Sequence, residues 1–328
     1  MSQRRAGAAL LGSVDDGDGR EEQEAKSKDD DQPQSITCAR CCRGALHCFL
    51  VAPTCLVTAT LLYTTCLFRC VLSKLGVCPI TSEALRPASG ESPSIFFDGG
   101  GWGLSFGLGV CKYIQDTYDL PPSTVVYAIS AGNFAALALL LDLDPTELMT
   151  QRFEHIRQAM MGEALCGFLG DLSPVRNALH AFLPPDAHVR LRGRFRVVVA
   201  AWPCLGFRVL SDFATLEDLV EAVICSCALI GFVWRPQCTA RGHNSGCWVD
   251  AAYPNLISPV DDVVDLGIRP YAKNRPESLV PKSPGAYHSR TKLLTLDLAL
   301  TEMAAARNDA ARYEKLTEVL GPFRKSVV

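Results

Sequence analysis

A short apolar strand, a glycine-rich turn and an apolar helix follow one another at residues 94–118 of this 328-residue chain. The strand residues 95–97 read IFF, the turn reads DGGGWG, and the periodic apolar segment begins at Leu104. Such a turn aims consecutive backbone N–H groups at an anion, helped by the N-terminus of the following helix. The pattern predicts a sheet strand with an anion site above it, for a phosphate or for a developing oxyanion.

The glycine spacing in this turn also fits a dinucleotide-binding fold loosely. The glycines concerned are Gly101, Gly103 and Gly107, and Asp119 would then contact the ribose. A loose glycine pattern is weak evidence by itself, so the strand that follows has to decide.

That next strand leads into a serine. Residues 124–127 (TVVY) are β-branched and aromatic, and they run into AISAG before an apolar helix at residues 133–141. Ser130 has small residues two positions before and after it, which is typical of a nucleophile elbow, a strained turn that exposes the serine hydroxyl. The alternative is a serine that only caps the helix. The glycine turn upstream favours the nucleophile, because both turns would lie at the ends of neighbouring strands.

Two further segments complete a pattern of motifs. Residues 225–228 read CSCA, and residues 248–252 read WVDAA. Together with the GGGW turn at residues 99–102 and with Ser130, they make the chain resemble the patatin-like phospholipase domain family, most of all its adipose triglyceride lipase branch. That family has a glycine-rich oxyanion loop, a Gly-x-Ser-x-Gly elbow, an Ala-Ser-x-Ala-x-Pro stretch and an Asp-Gly-Gly or Asp-Gly-Ala motif. The likeness covers about residues 94–260, and motifs in the right order are more specific than any one.

The resemblance implies a three-layer α/β fold of the patatin type with a mostly parallel central sheet. It also implies a lipid acyl hydrolase that uses a Ser-Asp dyad and needs neither histidine nor a cofactor. The catalytic residues would be Ser130 and Asp250, with apolar Trp248 and Val249 partly removing the carboxylate from water. The oxyanion donors would be the backbone N–H groups of Gly99, Gly100, Gly101 and Trp102. The substrates would be fatty-acyl esters of glycerolipids in a membrane or lipid droplet.

This chain departs from the family's pattern at several positions. Ala128 and Ala251 each replace a glycine, the loop lacks the family's basic residue, and residues 103–104 invert a usual pair. None of these changes removes a reacting group. A small misplacement can nevertheless cost much of the rate. The alternative function is therefore a catalytically impaired membrane protein that keeps the fold and acts as an adaptor or regulator.

An apolar run at residues 45–68 predicts a single transmembrane helix. The run has no Asp, Glu, Lys or Arg, and as a helix it would span about 36 Å, enough for the hydrocarbon core of a bilayer. The alternative is a buried core helix. Basic residues flank both ends, so the orientation is not indicated. We expect a single-pass membrane protein, of the endoplasmic reticulum or of lipid droplets.

Composition divides the rest of the chain. Residues 1–44 are acidic and poor in aromatic residues, which predicts a disordered tail, and residues 69–93 form a linker marked by proline. The catalytic domain would span residues 94–262. Residues 263–328 would be a C-terminal extension with a long helix at about residues 292–320. The formal net charge of −3 comes from the tail, so the neutral body offers no nucleic-acid-binding face.

The fifteen cysteines do not indicate a disulfide framework. Eight of them lie between Cys38 and Cys78, around the apolar run, where reversible palmitoylation and unmodified apolar packing are the two interpretations. Cys238, His243 and Cys247 would give a metal only three ligands, so no metal site is expected.

Overall fold

The structure is a computed structural model, and it describes residues 64, 92–151, 172–202, 206–229, 237–239, 246–251, 264–270, 278–282 and 295–326. The predicted tail at residues 1–44 and, apart from residue 64, the predicted transmembrane run at residues 45–68 lie outside these residues. In the part of the chain that is described, no helix is both long and apolar enough to cross a membrane.

Within the described ranges, eight strands form one mixed sheet. The strands are β1 (Ser94–Phe97), β2 (Val125–Ala128), β3 (Phe195–Ala201), β4 (Gly206–Leu210), β5 (Gln237–Thr239), β6 (Gly246–Asp250), β7 (Leu266–Ile268) and β8 (Ser278–Leu279). Their order is β5-β6-β3-β2-β1-β7-β8, and β4 pairs with β3 outside this path. The neighbouring strands β3, β2, β1, β7 and β8 are parallel to one another. Strands β4 and β6 pair with β3 in antiparallel fashion, and β5 pairs with β6 in the same way.

Parallel strands are covered on both faces, which explains why every residue of β1 and β2 except Ser94 is apolar. All four residues of each strand are buried. Alternate side chains point to opposite faces, so Ile95 and Phe97 join one core cluster while Phe96 joins another. The expected α/β architecture with a central sheet is confirmed.

The α-helices that are described from end to end are α1 (Leu104–Thr117), α2 (Gly132–Leu141), α3 (Ser173–Phe182), α4 (Ala187–Arg190), α5 (Leu216–Ser226), α6 (Leu296–Ala310) and α7 (Glu314–Leu320). Another helix begins at residue 145 and is described as far as residue 151. The core cluster that contains Ile95 also contains residues of α1, α2, α5 and α6. The cluster that contains Phe96 has no helical residue within the described ranges, so these ranges do not test the predicted third layer.

The prediction of a single long helix at residues 292–320 is wrong, because two helices occupy that region. Helix α6 ends at Ala310, and Tyr313 adopts an extended conformation before α7 begins. The hydroxyl of Tyr313 accepts the backbone N–H of Val280 at 2.8 Å, and its ring lies 4.1 Å from the Lys282 ammonium. These contacts hold Tyr313 in the conformation that interrupts the helix.

Candidate active site

Ser130 occupies a strained turn between β2 and α2. Its φ angle is +51°, in the left-handed region that residues other than glycine rarely adopt. The N–H of Gly132 donates to the carbonyl of Ile129 at 2.8 Å, and the N–H of Asn133 donates to the carbonyl of Ser130 at 3.0 Å. A Cβ at Gly132 would lie 2.4 Å from the carbonyl oxygen of Phe97, so this position requires glycine. The turn has the strand-to-helix geometry of a nucleophile elbow.

The buried hydroxyl of Ser226 forms a hydrogen bond with this turn. The backbone N–H of Ser130 donates to Ser226 Oγ at 2.9 Å, and Ser226 Oγ donates to the carbonyl of Val198 at 3.0 Å. The side-chain amide of Asn133 donates to the Ser130 carbonyl at 2.8 Å and to Ser226 Oγ at 3.1 Å. Ser226 and Asn133 are both fully buried. The network ties the serine turn to α5 and to β3.

The glycine loop lies directly against Ser130. A Cβ at Gly99 would be 2.9 Å from the Cβ of Ser130, so only glycine allows this approach. The loop then turns through Gly101, whose φ is +52°, into a short 3-10 helix at Gly101–Gly103. The first N–H groups of such a turn have no acceptor within it. The structure therefore brings the predicted oxyanion loop and the predicted nucleophile together.

One of the four predicted oxyanion donors is already bonded. The N–H of Gly99 donates to the carboxylate of Asp98 at 2.8 Å. The N–H groups of Gly101 and Trp102 begin the 3-10 turn, and Gly100 precedes it. These three residues are left as the candidate donors of the loop.

Asp250, the predicted base, is the last residue of β6. It is 3% exposed, and its backbone N–H donates to the carbonyl of Ala228 at 3.0 Å. In the register of β3, Asp250 is opposite Val199, two residues beyond Val197, which pairs with Ala128 of β2. Ser130 is likewise two residues beyond Ala128. Asp250 therefore lies beside the part of β3 that continues past its pairing with β2, at the end where β2 runs into the Ser130 turn.

The surroundings of Asp250 are apolar, as the sequence predicts. Trp248 and Val249 are buried, and so is Ala251. Burial raises the pKa of the nearby Cys227 thiol, and the charge of Asp250 raises it further.

No protein-family model matches the chain. Among curated proteins, it is 30% identical over 155 residues to the human patatin-like phospholipase domain-containing protein 5, a match that covers 43% of this chain and 35% of that protein. The mouse protein of the same name is 23% identical over 192 residues, with 51% and 44% coverage. Over these stretches the chain is similar to proteins named patatin-like phospholipases.

The chain is also similar to the human protein named omega-hydroxyceramide transacylase. They are 26% identical over 141 residues, which cover 41% of this chain and 26% of that protein. The chain thus matches less than half the length of each of these three relatives.

The sequence did not indicate several interactions that the structure shows. Cys238 and Cys247 form a disulfide across the β5–β6 hairpin, whereas the sequence suggested no such bond. His243, the third residue of the dismissed metal cluster, lies outside the described residues. The described residues hold no group of side chains suited to a metal ion. Asn133 had no signal in the sequence, whereas Ser226 falls within a stretch that the family resemblance had matched.

Proposed function

We propose that the chain is a serine acyl hydrolase that cleaves fatty-acyl esters of glycerolipids, either phospholipid or triacylglycerol. The observation that carries the proposal is the left-handed conformation of Ser130 with Gly99 packed against it. A strained serine at the end of a parallel strand, next to a loop with backbone N–H donors, suits nucleophilic attack on an ester carbonyl. The names of two similar proteins, which contain the word phospholipase, support the lipid substrate class.

In the first step, Ser130 Oγ attacks the ester carbonyl carbon while the Asp250 carboxylate accepts the hydroxyl proton. The carbonyl π pair moves to oxygen, and the resulting oxyanion is stabilised by the N–H groups of Gly100, Gly101 and Trp102. When the tetrahedral intermediate collapses, the bond to the leaving alcohol breaks and Asp250 returns the proton to that alcohol. An acyl ester on Ser130 remains.

In the second step, a water molecule attacks the acyl carbonyl and gives its proton to Asp250. Collapse of the second intermediate breaks the bond to Ser130 Oγ, which takes the proton back as the fatty acid leaves. A lipid alcohol in place of water would make the same chemistry an acyl transfer. The word transacylase in the name of one similar protein makes that acceptor worth assaying.

A fluorophosphonate probe tests the proposed function because it reacts only with an activated serine. We expect the full-length chain to be labelled and to release fatty acid from glycerolipid micelles, and we expect Ser130→Ala to lose both activities. Ser211→Ala is the matched control, since this serine lies on a loop away from the site and bonds to Asp212 at 3.2 Å. A wild-type chain without labelling or turnover would instead support a catalytically impaired adaptor.

Membrane anchoring through residues 45–68 is the second part of the proposal. Support comes from the length and the lack of charge of this run. We expect the full-length protein to stay with membranes in alkaline carbonate, and a chain that lacks residues 1–75 to be released. Extraction of the full-length protein by carbonate would contradict a spanning helix.

A further inference from the structure

Asp98 and Arg269 form an ion pair at the carboxyl ends of the neighbouring parallel strands β1 and β7. Arg269 Nη1 lies 2.6 Å from Asp98 Oδ2. The Arg269 side chain is only 2% exposed, and its guanidinium lies 4.9 Å from the centre of the Phe96 ring. A buried ion pair is often no more stable than apolar side chains of similar volume. The sheet alone therefore gives little reason for this pair.

The second oxygen of Asp98 holds the first peptide of the glycine loop. Oδ1 accepts the N–H of Gly99 at 2.8 Å, while Oδ2 accepts Arg269. The backbone N–H of Asp98 donates to the carbonyl of Ile268 at 2.9 Å, which fixes the start of the loop to β7. Gly99 lies against Ser130, so the orientation of the Asp98 carboxylate affects the position of the glycine loop relative to the serine.

A carboxylate at this position also has an electrostatic effect. The proposed reaction develops negative charge beside the loop, and an unpaired Asp98 would repel that charge. The Arg269 guanidinium supplies the compensating positive charge in a buried environment, where charges interact more strongly than in water.

We propose that Asp98 and Arg269 are positioning residues for the oxyanion loop. Asp98 holds the Gly99 peptide in place, and Arg269 both orients the Asp98 carboxylate and neutralises it. The effect on catalysis rests on the proposed function, whereas the effect on the loop does not.

Charge-removing variants of the full-length chain test the catalytic effect. Arg269→Met removes the guanidinium charge from the Asp98 carboxylate, and we expect kcat for a soluble aryl ester to fall about 100-fold, as for a small displacement of catalytic groups. We expect KM to change by less than about threefold, because the loss concerns the transition state. The double variant Asp98→Asn with Arg269→Met removes both charges and keeps an amide oxygen for Gly99. It should recover roughly tenfold in kcat.

Asp265→Asn is the matched control. Asp265 Oδ2 accepts the N–H of Ser94 at 2.8 Å and its hydroxyl at 2.7 Å, at the opposite end of the same two strands. This variant should keep wild-type kcat, and thermal unfolding should show that every variant is folded. Wild-type kcat in Arg269→Met, or a double variant no faster than Arg269→Met, would overturn the catalytic part of the inference.

Hydrogen exchange of the Gly99 amide tests the loop without any assay of activity. In the full-length chain labelled with ¹⁵N-glycine, Asp98→Ala should speed exchange at Gly99 by about tenfold or more, because its acceptor is lost. Exchange at Gly321, remote in sequence and in the fold, should not change. Unchanged exchange at Gly99 would refute the positioning role even in an inactive protein. Faster exchange in a chain whose wild type has no esterase activity would refute only the proposed function.

Discussion

The backbone N–H of Ser130 donates a 2.9 Å hydrogen bond to the side-chain hydroxyl of Ser226, 96 residues further along the chain. A strained turn at the end of a strand leaves this N–H without its usual partner in the sheet. The Ser226 hydroxyl oxygen accepts this N–H, and the hydroxyl donates its own hydrogen bond to the carbonyl of Val198. The pairing of β3 with β2 ends at Val197, and its pairing with β6 begins at Val199. Val198, whose carbonyl accepts the Ser226 hydroxyl, lies between these two paired stretches.

Substitution of Ser226 should therefore weaken the elbow. Ser226→Ala leaves the partly buried N–H of Ser130 without this acceptor, and loss of such a bond typically costs about 1–3 kcal/mol. We expect a lower free energy of unfolding in urea and a fluorophosphonate labelling rate that falls by roughly tenfold or more. Thr301→Ala removes an exposed hydroxyl that bonds to the Asp297 carbonyl, and it should change neither quantity appreciably. Wild-type labelling by Ser226→Ala would show that the elbow does not need this bond.

Close packing of α1 on α6 gives a second prediction. A Cβ at Gly109 would lie 2.3 Å from the carbonyl oxygen of Met303 and 2.6 Å from the Cβ of Ala306. Gly109→Ala should thus destabilise the fold by about 1–3 kcal/mol, despite the better helix propensity of alanine. Gly321→Ala is the control, since a Cβ there meets nothing within 4 Å. Equal unfolding midpoints for the two variants would show that the helices separate at little cost.

The elbow could be predicted from sequence because its determinants are local. Ser130 and Gly132 are close in the chain, and the apolar strand and helix around them have clear patterns. Residues that support the site come from far away instead, as with Asp98 and Arg269, which are 171 positions apart. Pairing of that kind depends on the order of the strands in the sheet, which a single sequence does not encode in any local pattern. Tyr313 interrupts a helix for the same reason, through contacts with distant residues.

Buried thiols predict how stability changes at alkaline pH. Burial raises the pKa of Cys225 to about 12, with a contribution from the charge of Glu221, and burial also raises the pKa values of Cys111 and Cys227. An unfolded thiol has a pKa of about 8.5, so above that pH the unfolded chain holds fewer protons than the folded one. The stabilisation is fully present below about pH 8.5 and is lost as pH rises toward the folded pKa values, by up to about 1.4 kcal/mol per pH unit for each thiol.

Urea unfolding at pH 8 and pH 10, at matched ionic strength, measures this loss. Cys225→Ala should lose part of the slope because one titrating group is gone. Equal stability of the wild type at the two pH values would contradict the burial of these thiols.

The last prediction concerns Ser130, in the turn after β2, and Asp250, at the end of β6; these two strands pair with consecutive stretches of β3. If Asp250 accepts the serine proton directly, the two residues act as one unit. Asp250→Asn should then lower kcat about as much as Ser130→Ala, and the double variant should lose little more. The isosteric amide keeps the shape of the buried side chain and removes the base.

Histidine variants supply the control for this cycle. His180 is exposed and lies 3.1 Å from Glu217, and His180→Gln should keep wild-type kcat. Each of the six histidines of the chain can be substituted in turn. A histidine that takes part in catalysis would lower kcat as much as Asp250→Asn does when it is substituted. Losses from Asp250→Asn and Ser130→Ala that simply multiplied in the double variant would show that the two side chains act independently, and the dyad would have to be abandoned.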